Sequence, residues 1–356
     1  MSIASWRAPA KWSALLAISL CITAAWSYAE LPAALLIGPM IGGIVLGVNG
    51  ARLDVPRWSY MGAQGVIAAM IAGSMTPGIA ATLSHGAVLF VAAAAMTLIG
   101  ATALGWLISR TGLIPGATAV YGMSPGAASA MVMLSEAHGA DKSLVAFMQY
   151  TRVLCVAFAT TFIAHFWAPP ASHPPGASWF AMIHWGNLAT VLLLIFVGQQ
   201  LARLARLQGY GLIGPLIFLS ALHAAGWLEI DLPRWILAAA YALLGWHIGL
   251  GFRRDALIHA GKALPVVLGG AIALVVFCGL VSWVVARLAH VDGLTAYLAM
   301  SPGGADVAAI IAASTPTVDL SFVLALQTIR LFATIALAPF IIRLVVRHSP
   351  HLRPST

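Results

Sequence analysis

The sequence predicts an all-α polytopic membrane protein built as an internal duplication, and three observations carry that prediction. Of 356 residues, 61% are hydrophobic and 8% charged, against roughly 25% charged in soluble domains. Apolar runs of about 20 residues, each long enough to cross about 30 Å of hydrocarbon, recur along almost the whole chain. Four short motifs also occur twice in one order. Ile37-Gly-Pro-Met-Ile41 matches Ile213-Gly-Pro-Leu-Ile217, and Asp54-Val-Pro-Arg-Trp58 matches Asp231-Leu-Pro-Arg-Trp235. Met123-Ser-Pro-Gly126 matches Met300-Ser-Pro-Gly303, and Gln149-Tyr-Thr-Arg152 matches Gln327-Thr-Ile-Arg330. The offsets are 176, 177, 177 and 178 residues, a fixed period that marks a repeat.

Taken in order, the apolar segments of the first half are 13–29, 32–49, 59–83, 87–109, a broken stretch 113–134, and 143–166. Segment 13–29 follows Arg7 and Lys11, and Ser27-Tyr-Ala29 resembles a signal-peptidase site. Its counterpart in the second half argues that it stays with the chain. The second half repeats the order as 187–204, 210–227, 233–252, 264–288, a broken stretch 294–314, and 320–345. Residues 1–167 and 186–356 therefore read as two membrane repeats. Between them, 168–185 is a proline-rich linker without Lys or Arg.

Each broken stretch places Ser-Pro-Gly in the middle of an apolar run. Proline removes a backbone hydrogen bond, and glycine contributes no packing in return. Within a bilayer, broken backbone survives only where protein or a wet cavity satisfies it. Two breaks in matching places are the sequence pointer to a transport site.

The direction of the halves depends on whether those stretches cross the membrane. If all six segments of each half cross, Arg203, Arg206, Arg253, Arg254 and Lys262 lie outside, against the positive-inside rule. If the Ser-Pro-Gly stretch instead enters and returns, five crossings remain per half. Arg7, Lys11, Arg52, Arg57, Arg110, Lys142 and those five then face the cytoplasm with Arg343, Arg347 and Arg353, leaving Arg234 and Arg287 outside. Charge therefore favours two inverted repeats in an inner membrane, both termini cytoplasmic and the linker periplasmic. Inversion also survives if the broken stretch crosses while 32–49 or its twin does not.

Trp12, Trp26, Trp58, Trp106, Trp167, Trp185, Trp227, Trp235 and Trp283 lie near segment ends, as an interfacial belt does. The Gly38-xxx-Gly42 and Gly43-xxx-Gly47 spacings suit close helix packing, within the protomer or across a homodimer. Cys21, Cys155 and Cys278 fall in apolar runs without partner spacing and read as buried packing residues.

Polar groups inside apolar runs single out the candidate site. Arg152 and Arg330 sit about 15 Å into their helices, each three residues after Gln149 or Gln327, so amide and guanidinium share a helical face. Two readings stand side by side. The arginines are ligands for an anionic solute, or they neutralise carbonyls freed by the breaks or pair with Asp306. Asp306 is the one carboxylate deep within an apolar stretch, and its counterpart is Ser129. It reads as a coupling site for a proton or cation, or as a permanent partner of Arg330. The breaks expose helix N-termini suited to anions, which Ser124 and Ser301 would cap. The candidate substrate site is thus Ser124, Pro125, Gly126, Gln149, Arg152, Ser301, Pro302, Gly303, Gly304, Gln327 and Arg330.

Catalytic signatures are absent. His165, His223 and His247 show neither His-x-x-x-His nor Glu-x-x-His spacing, and the remaining histidines fall in loops or tails. No nucleophile elbow, phosphate loop or dinucleotide fingerprint is present. The expectation is a protein with no catalytic residue, metal or cofactor. The net charge of +8 comes without a Lys/Arg block of five, so nucleic acid is not an expected partner. The expected partners are the lipid bilayer and a small solute.

With these motifs and their copies, the chain resembles the Gram-negative AbrB membrane-protein family over roughly residues 10–346. That resemblance implies a duplicated membrane fold and the labels given to such proteins, regulators of gene expression or ammonia monooxygenases. Neither label follows from the residues, since no helix-turn-helix pattern and no copper or iron cluster is recognisable. The small soluble DNA-binding regulator of the same name is not similar. At the level of fold the chain is also similar to inverted-repeat carriers of the glutamate/citrate symporter and sodium–proton antiporter kind. The expected function is a secondary transporter of a small solute, and the positive helix ends with two arginines favour an anion. The rivals are a membrane regulator or sensor acting through a partner, and a membrane oxidoreductase.

Overall fold

A computed structural model describes residues 6–29, 31, 33–74, 79–114, 117–124, 131, 135, 140–167, 184–207, 209–303, 305–313, 315 and 317–348. Among these residues the regular structure is entirely helical. In order the helices are α1 (Ala8–Tyr28), α2 (Ala34–Val48), α3 (Arg57–Ser74), α4 (Ile79–Ser109), α5 (Thr118–Met123), α6 (Lys142–Trp167) and α7 (Trp185–Leu204). Then come α8 (Tyr210–Ala224), α9 (Arg234–Leu250), α10 (Arg254–His259), α11 (Leu264–Ala289), α12 (Gly293–Met300), α13 (Ala305–Ala313) and α14 (Leu320–His348).

Hydropathy places most of these helices to within a few residues. It errs at 59–83, where α3 ends at Ser74 and α4 starts at Ile79. Pro77-Gly78 lies there, outside the described residues, and the apolar pattern masks the division. The short α10 also has no counterpart in the hydropathy reading. Most of the linker falls outside the described residues as well.

Five helical spans, Ala8–Tyr28, Ala87–Ser109, Lys142–Trp167, Trp185–Leu204 and Leu264–Ala289, are long and apolar enough to cross a membrane. Their side chains are distributed as lipid requires. On α11, Ile272, Val276, Leu280 and Trp283 are exposed, while Gly270, Cys278 and Ser282 are buried. On α6, Phe162, Phe166 and Trp167 are exposed, and Gln149, Thr151, Arg152, Thr160 and Thr161 are buried. Small and polar groups inside with apolar groups outside is the pattern of helices packed in hydrocarbon. The same logic corrects one expectation. Cys21 is exposed and Cys155 only half-buried, whereas Cys278 is buried. An apolar run in such a protein has a face turned outward, so membership of the run does not imply burial.

Two compact units divide the chain, and each takes segments from both halves of the sequence. The first comprises Met1–Ala81, His165–Gly251 and Ala309–Ser321. In it α2 packs on α1 and α9, and α8 packs on α7 and α3, while α3 also meets α9. Gly43 approaches Gly249, and Gly38 and Gly42 lie against Thr23 and Ser19 of α1. The glycine spacings therefore serve packing within the protomer. The core centres on Leu15, Leu46 and Leu250, with Trp12 packed edge-on to Trp246 at 6.0 Å. Both α2 and α8 are entered through a left-handed residue, Ala33 (φ 57°) and Gly209 (φ 71°). Both also carry an internal proline, Pro39 and Pro215.

The second unit comprises Thr82–Ala164, Phe252–Ala308 and Phe322–Thr356. Here α11 packs on α12. A cluster of Leu98, Val120, Tyr121, Met131 and Val145 surrounds α5. Asp141 and Asp292 cap α6 and α12, each accepting two backbone N–H bonds, which satisfies donors a helix start leaves open. Both Ser-Pro-Gly motifs and both Gln-x-x-Arg motifs belong to this unit.

Candidate functional site

Each helix that precedes a Ser-Pro-Gly motif stops where the chemistry of proline dictates. The residue before proline is driven out of the α region. Ser124, ending α5, has φ −60° and ψ 124°; Ser301, ending α12, has φ −54° and ψ 130°. The break leaves the last carbonyls of α5 and α12 without helical donors, and both ends are buried. Unpaired carbonyls there would cost about 1–3 kcal/mol each.

Side chains from the following long helices supply the missing donors. At the first break, Gln149 Nε2 donates to Tyr121 O (2.9 Å) and Ser124 O (3.1 Å). Arg152 Nη1 donates to Met123 O (3.2 Å) and Ser124 O (2.8 Å). At the second, Gln327 Nε2 donates to Leu298 O (2.9 Å) and Ser301 O (3.3 Å). Arg330 Nη1 donates to Met300 O (3.4 Å) and to Ser301 O, and Nη2 donates to Gly303 O (3.2 Å) and Gln327 Oε1. The acceptors in the two sets, Tyr121 and Leu298, Met123 and Met300, Ser124 and Ser301, lie 177 residues apart.

Of the two readings of the arginines, this geometry matches carbonyl neutralisation. Among the described residues, the partners of the two guanidiniums are carbonyl dipoles and an amide. The C-terminal ends of α5 and α12 contribute only a partial negative charge. The serine hydroxyls turn backward as well: Ser124 Oγ donates to Val120 O (2.8 Å) and Ser301 Oγ to Leu298 O (2.9 Å). Both finish the helix before the break.

The two breaks lie close together. Val156, one helical turn beyond Arg152 on α6, touches Gly303, where an added methyl would stand 3.0 Å from Val156 Cγ1. Gly303 O is in turn the acceptor for Arg330. One face of α6 therefore binds the first break through Gln149 and Arg152 and abuts the second through Val156. Arg152 and Arg330 also lie within electrostatic reach of one another and of Cys278.

The structure thus brings together Ser124, Gln149, Arg152, Ser301, Gly303, Gln327 and Arg330, with Pro302 buried beside them. Pro125, Gly126, Gly304 and the Asp306 side chain lie outside the described residues. Among those residues no group of three or more His, Cys, Asp or Glu is placed to hold a metal ion.

Two contributions escape a reading of the sequence. Val156 is apolar and carries no chemical flag. Gln199, in the first unit, ties helices as Gln149 does, donating to Met61 O (2.9 Å) and Gly211 O (3.1 Å). A glutamine within an apolar run is the signal that would have found it.

A family described as "Transition state regulatory protein AbrB" matches residues 35–346. "Putative regulator AbrB" of Escherichia coli (strain K12) is 37% identical over 342 residues, covering 96% of this chain and 98% of that protein. "Uncharacterized protein YhjN" of Bacillus subtilis (strain 168) is 26% identical over 259 residues, 67% of this chain and 65% of that one. No solved structure matches.

Proposed function

The chain belongs to the AbrB family, and from that premise we propose that it is an inner-membrane secondary transporter of a small anionic solute. The observation that carries this reading is the pair of buried guanidiniums set against two adjacent helix breaks. Their bonded partners among the described residues are backbone carbonyls and one amide. Charge buried at the centre of apolar helices is costly unless something compensates it, and an anion arriving between the breaks does so. Broken helices at a site shared by repeated segments are the architecture in which carriers hold solutes.

In this reading two inverted halves place five crossings each in the bilayer, with both termini cytoplasmic. Asp306, beside the second break, supplies sensitivity to a coupling proton or cation. The protein needs a bilayer and a solute as partners and uses no catalytic group, cofactor or nucleic acid. Proteoliposomes carrying the purified protein should take up a labelled small carboxylate, and Arg330→Gln should abolish the uptake while the protein remains folded. Absence of flux across a panel of small anions would refute transport. Topology has its own check: a reporter fused near residue 175 should be active only on the periplasmic side.

The name of the Escherichia coli relative favours a second reading, a membrane regulator that senses a solute and signals through a partner. Such a protein would bind solute and move none.

A further inference from the structure

We propose that the solute held at the first break is a 2-hydroxycarboxylate, recognised jointly by Gln149 and Arg152; this rests on the anionic-solute reading above. The two breaks share their carbonyl acceptors but differ in the use of the glutamine oxygen. At the second, Gln327 Oε1 accepts from Arg330 Nη2, so the amide oxygen is used. At the first, Gln149 Oε1 and Arg152 Nε have no hydrogen-bond partner among the described residues, and both side chains are almost completely buried. Thr151 Oγ1 and Thr161 Oγ1 of α6 and the Tyr297 hydroxyl are also unpaired among the described residues, but Arg152 Nε alone of these carries charge, and buried polar groups are generally paired.

The unsatisfied pair specifies a complement. Arg152 Nε offers a proton and sits on a charge that its carbonyl partners do not neutralise, so its ligand presents an anionic oxygen. Gln149 Oε1 can only accept, so the same ligand presents a donor. Gln149 and Arg152 are three residues apart on α6 and so share a helical face, and donor and anion belong on one small molecule. A carboxylate with a hydroxyl on the adjacent carbon meets that description. An ammonium there would add a third positive charge beside Arg152 and Arg330, which excludes the 2-amino acids. A halide or sulfate offers no donor to Gln149, and a neutral amide leaves the arginine charge uncompensated. A site whose polar groups pair only with a hydroxylated ligand discriminates strongly against the analogue that lacks it.

The test uses the full-length protein purified in detergent, titrated calorimetrically with glycolate against acetate and with malate against succinate. Glycine, sulfate and acetamide serve as further probes. The hydroxylated member of each pair should bind at least about tenfold more tightly, and Gln149→Met should abolish that difference. Gln149 also holds Tyr121 O and Ser124 O, so if the variant fails to fold, the wild-type pairs still decide. Equal affinity within both pairs overturns the proposal, as does sulfate, glycine or acetamide binding as tightly as glycolate. If no probe binds, the two atoms are serving a trapped water and the proposal is wrong. Flux separates this inference from the transport reading. Transport without hydroxyl preference refutes the first alone, and selective binding without flux refutes the second alone.

Discussion

Arg330 spans Ser301 O, Gly303 O and Gln327 Oε1 with two nitrogens of a rigid fork. Lysine keeps the charge, but its point donor on a flexible stem cannot reproduce that span. Arg330→Lys should therefore destabilise the protein by about 2 kcal/mol, read as a lowered midpoint in detergent thermal unfolding; an unchanged midpoint would show that the fork is not needed. The identity of these residues is legible in the sequence because a guanidinium in an apolar run is rare and costly. What they bond to is not. Their acceptors are main-chain carbonyls, which every residue carries, so no side chain at 121, 123 or 124 announces the role. For the same reason sequence leaves anion binding and carbonyl neutralisation as equal alternatives, and only the distances at Ser124 and Ser301 show that neutralisation occurs.

At the scale of elements, the helix ends at Ser124 and Ser301 are legible because proline acts on its predecessor through local sterics alone. Pro39 and Pro215 show the limit of that rule, since α2 and α8 continue through them. Proline is tolerated within a membrane helix when its surroundings re-satisfy the freed groups, and those surroundings are tertiary. Helix contacts are likewise invisible until the chain is folded. An added methyl at Gly249 of α9 would lie 2.1 Å from Met40 O and 2.9 Å from Gly43 Cα, both backbone atoms of α2. Gly249→Ala must push the two helices apart and should cost about 1–3 kcal/mol. Gly269 of α11 has nothing within 4 Å of such a methyl, so Gly269→Ala should be neutral or stabilising by up to about 1 kcal/mol. Unfolding of both variants side by side checks the contrast; equal effects would mean that α2 and α9 do not approach through these glycines.

For the whole molecule, the repeated motifs separate by kind and not by half. The Ile-Gly-Pro and Asp-x-Pro-Arg-Trp pairs lie in the first unit, and the Ser-Pro-Gly and Gln-x-x-Arg pairs in the second. Hydropathy could order the segments but could not assign them to units, because assignment depends on contacts between residues more than 100 positions apart. Its consequence is mechanical. In the first unit, α2 packs on α9 and α8 on α3, so each half supplies surfaces that only the other can cover. A chain cut in the linker, giving residues 1–176 and 177–356, would leave both units incomplete in either fragment. Each fragment alone would expose small-residue faces and the polar faces of α6 or α14 to lipid, where unpaired polar groups are expensive. Neither fragment should therefore survive expression alone, whereas coexpressed fragments should assemble into a stable complex of full-length mass. Fluorescence-detected gel filtration of a tagged fragment, with and without its partner, measures this directly. A monodisperse peak from either fragment alone would show that the halves fold independently and that the interleaved units are not the cooperative bodies of the protein.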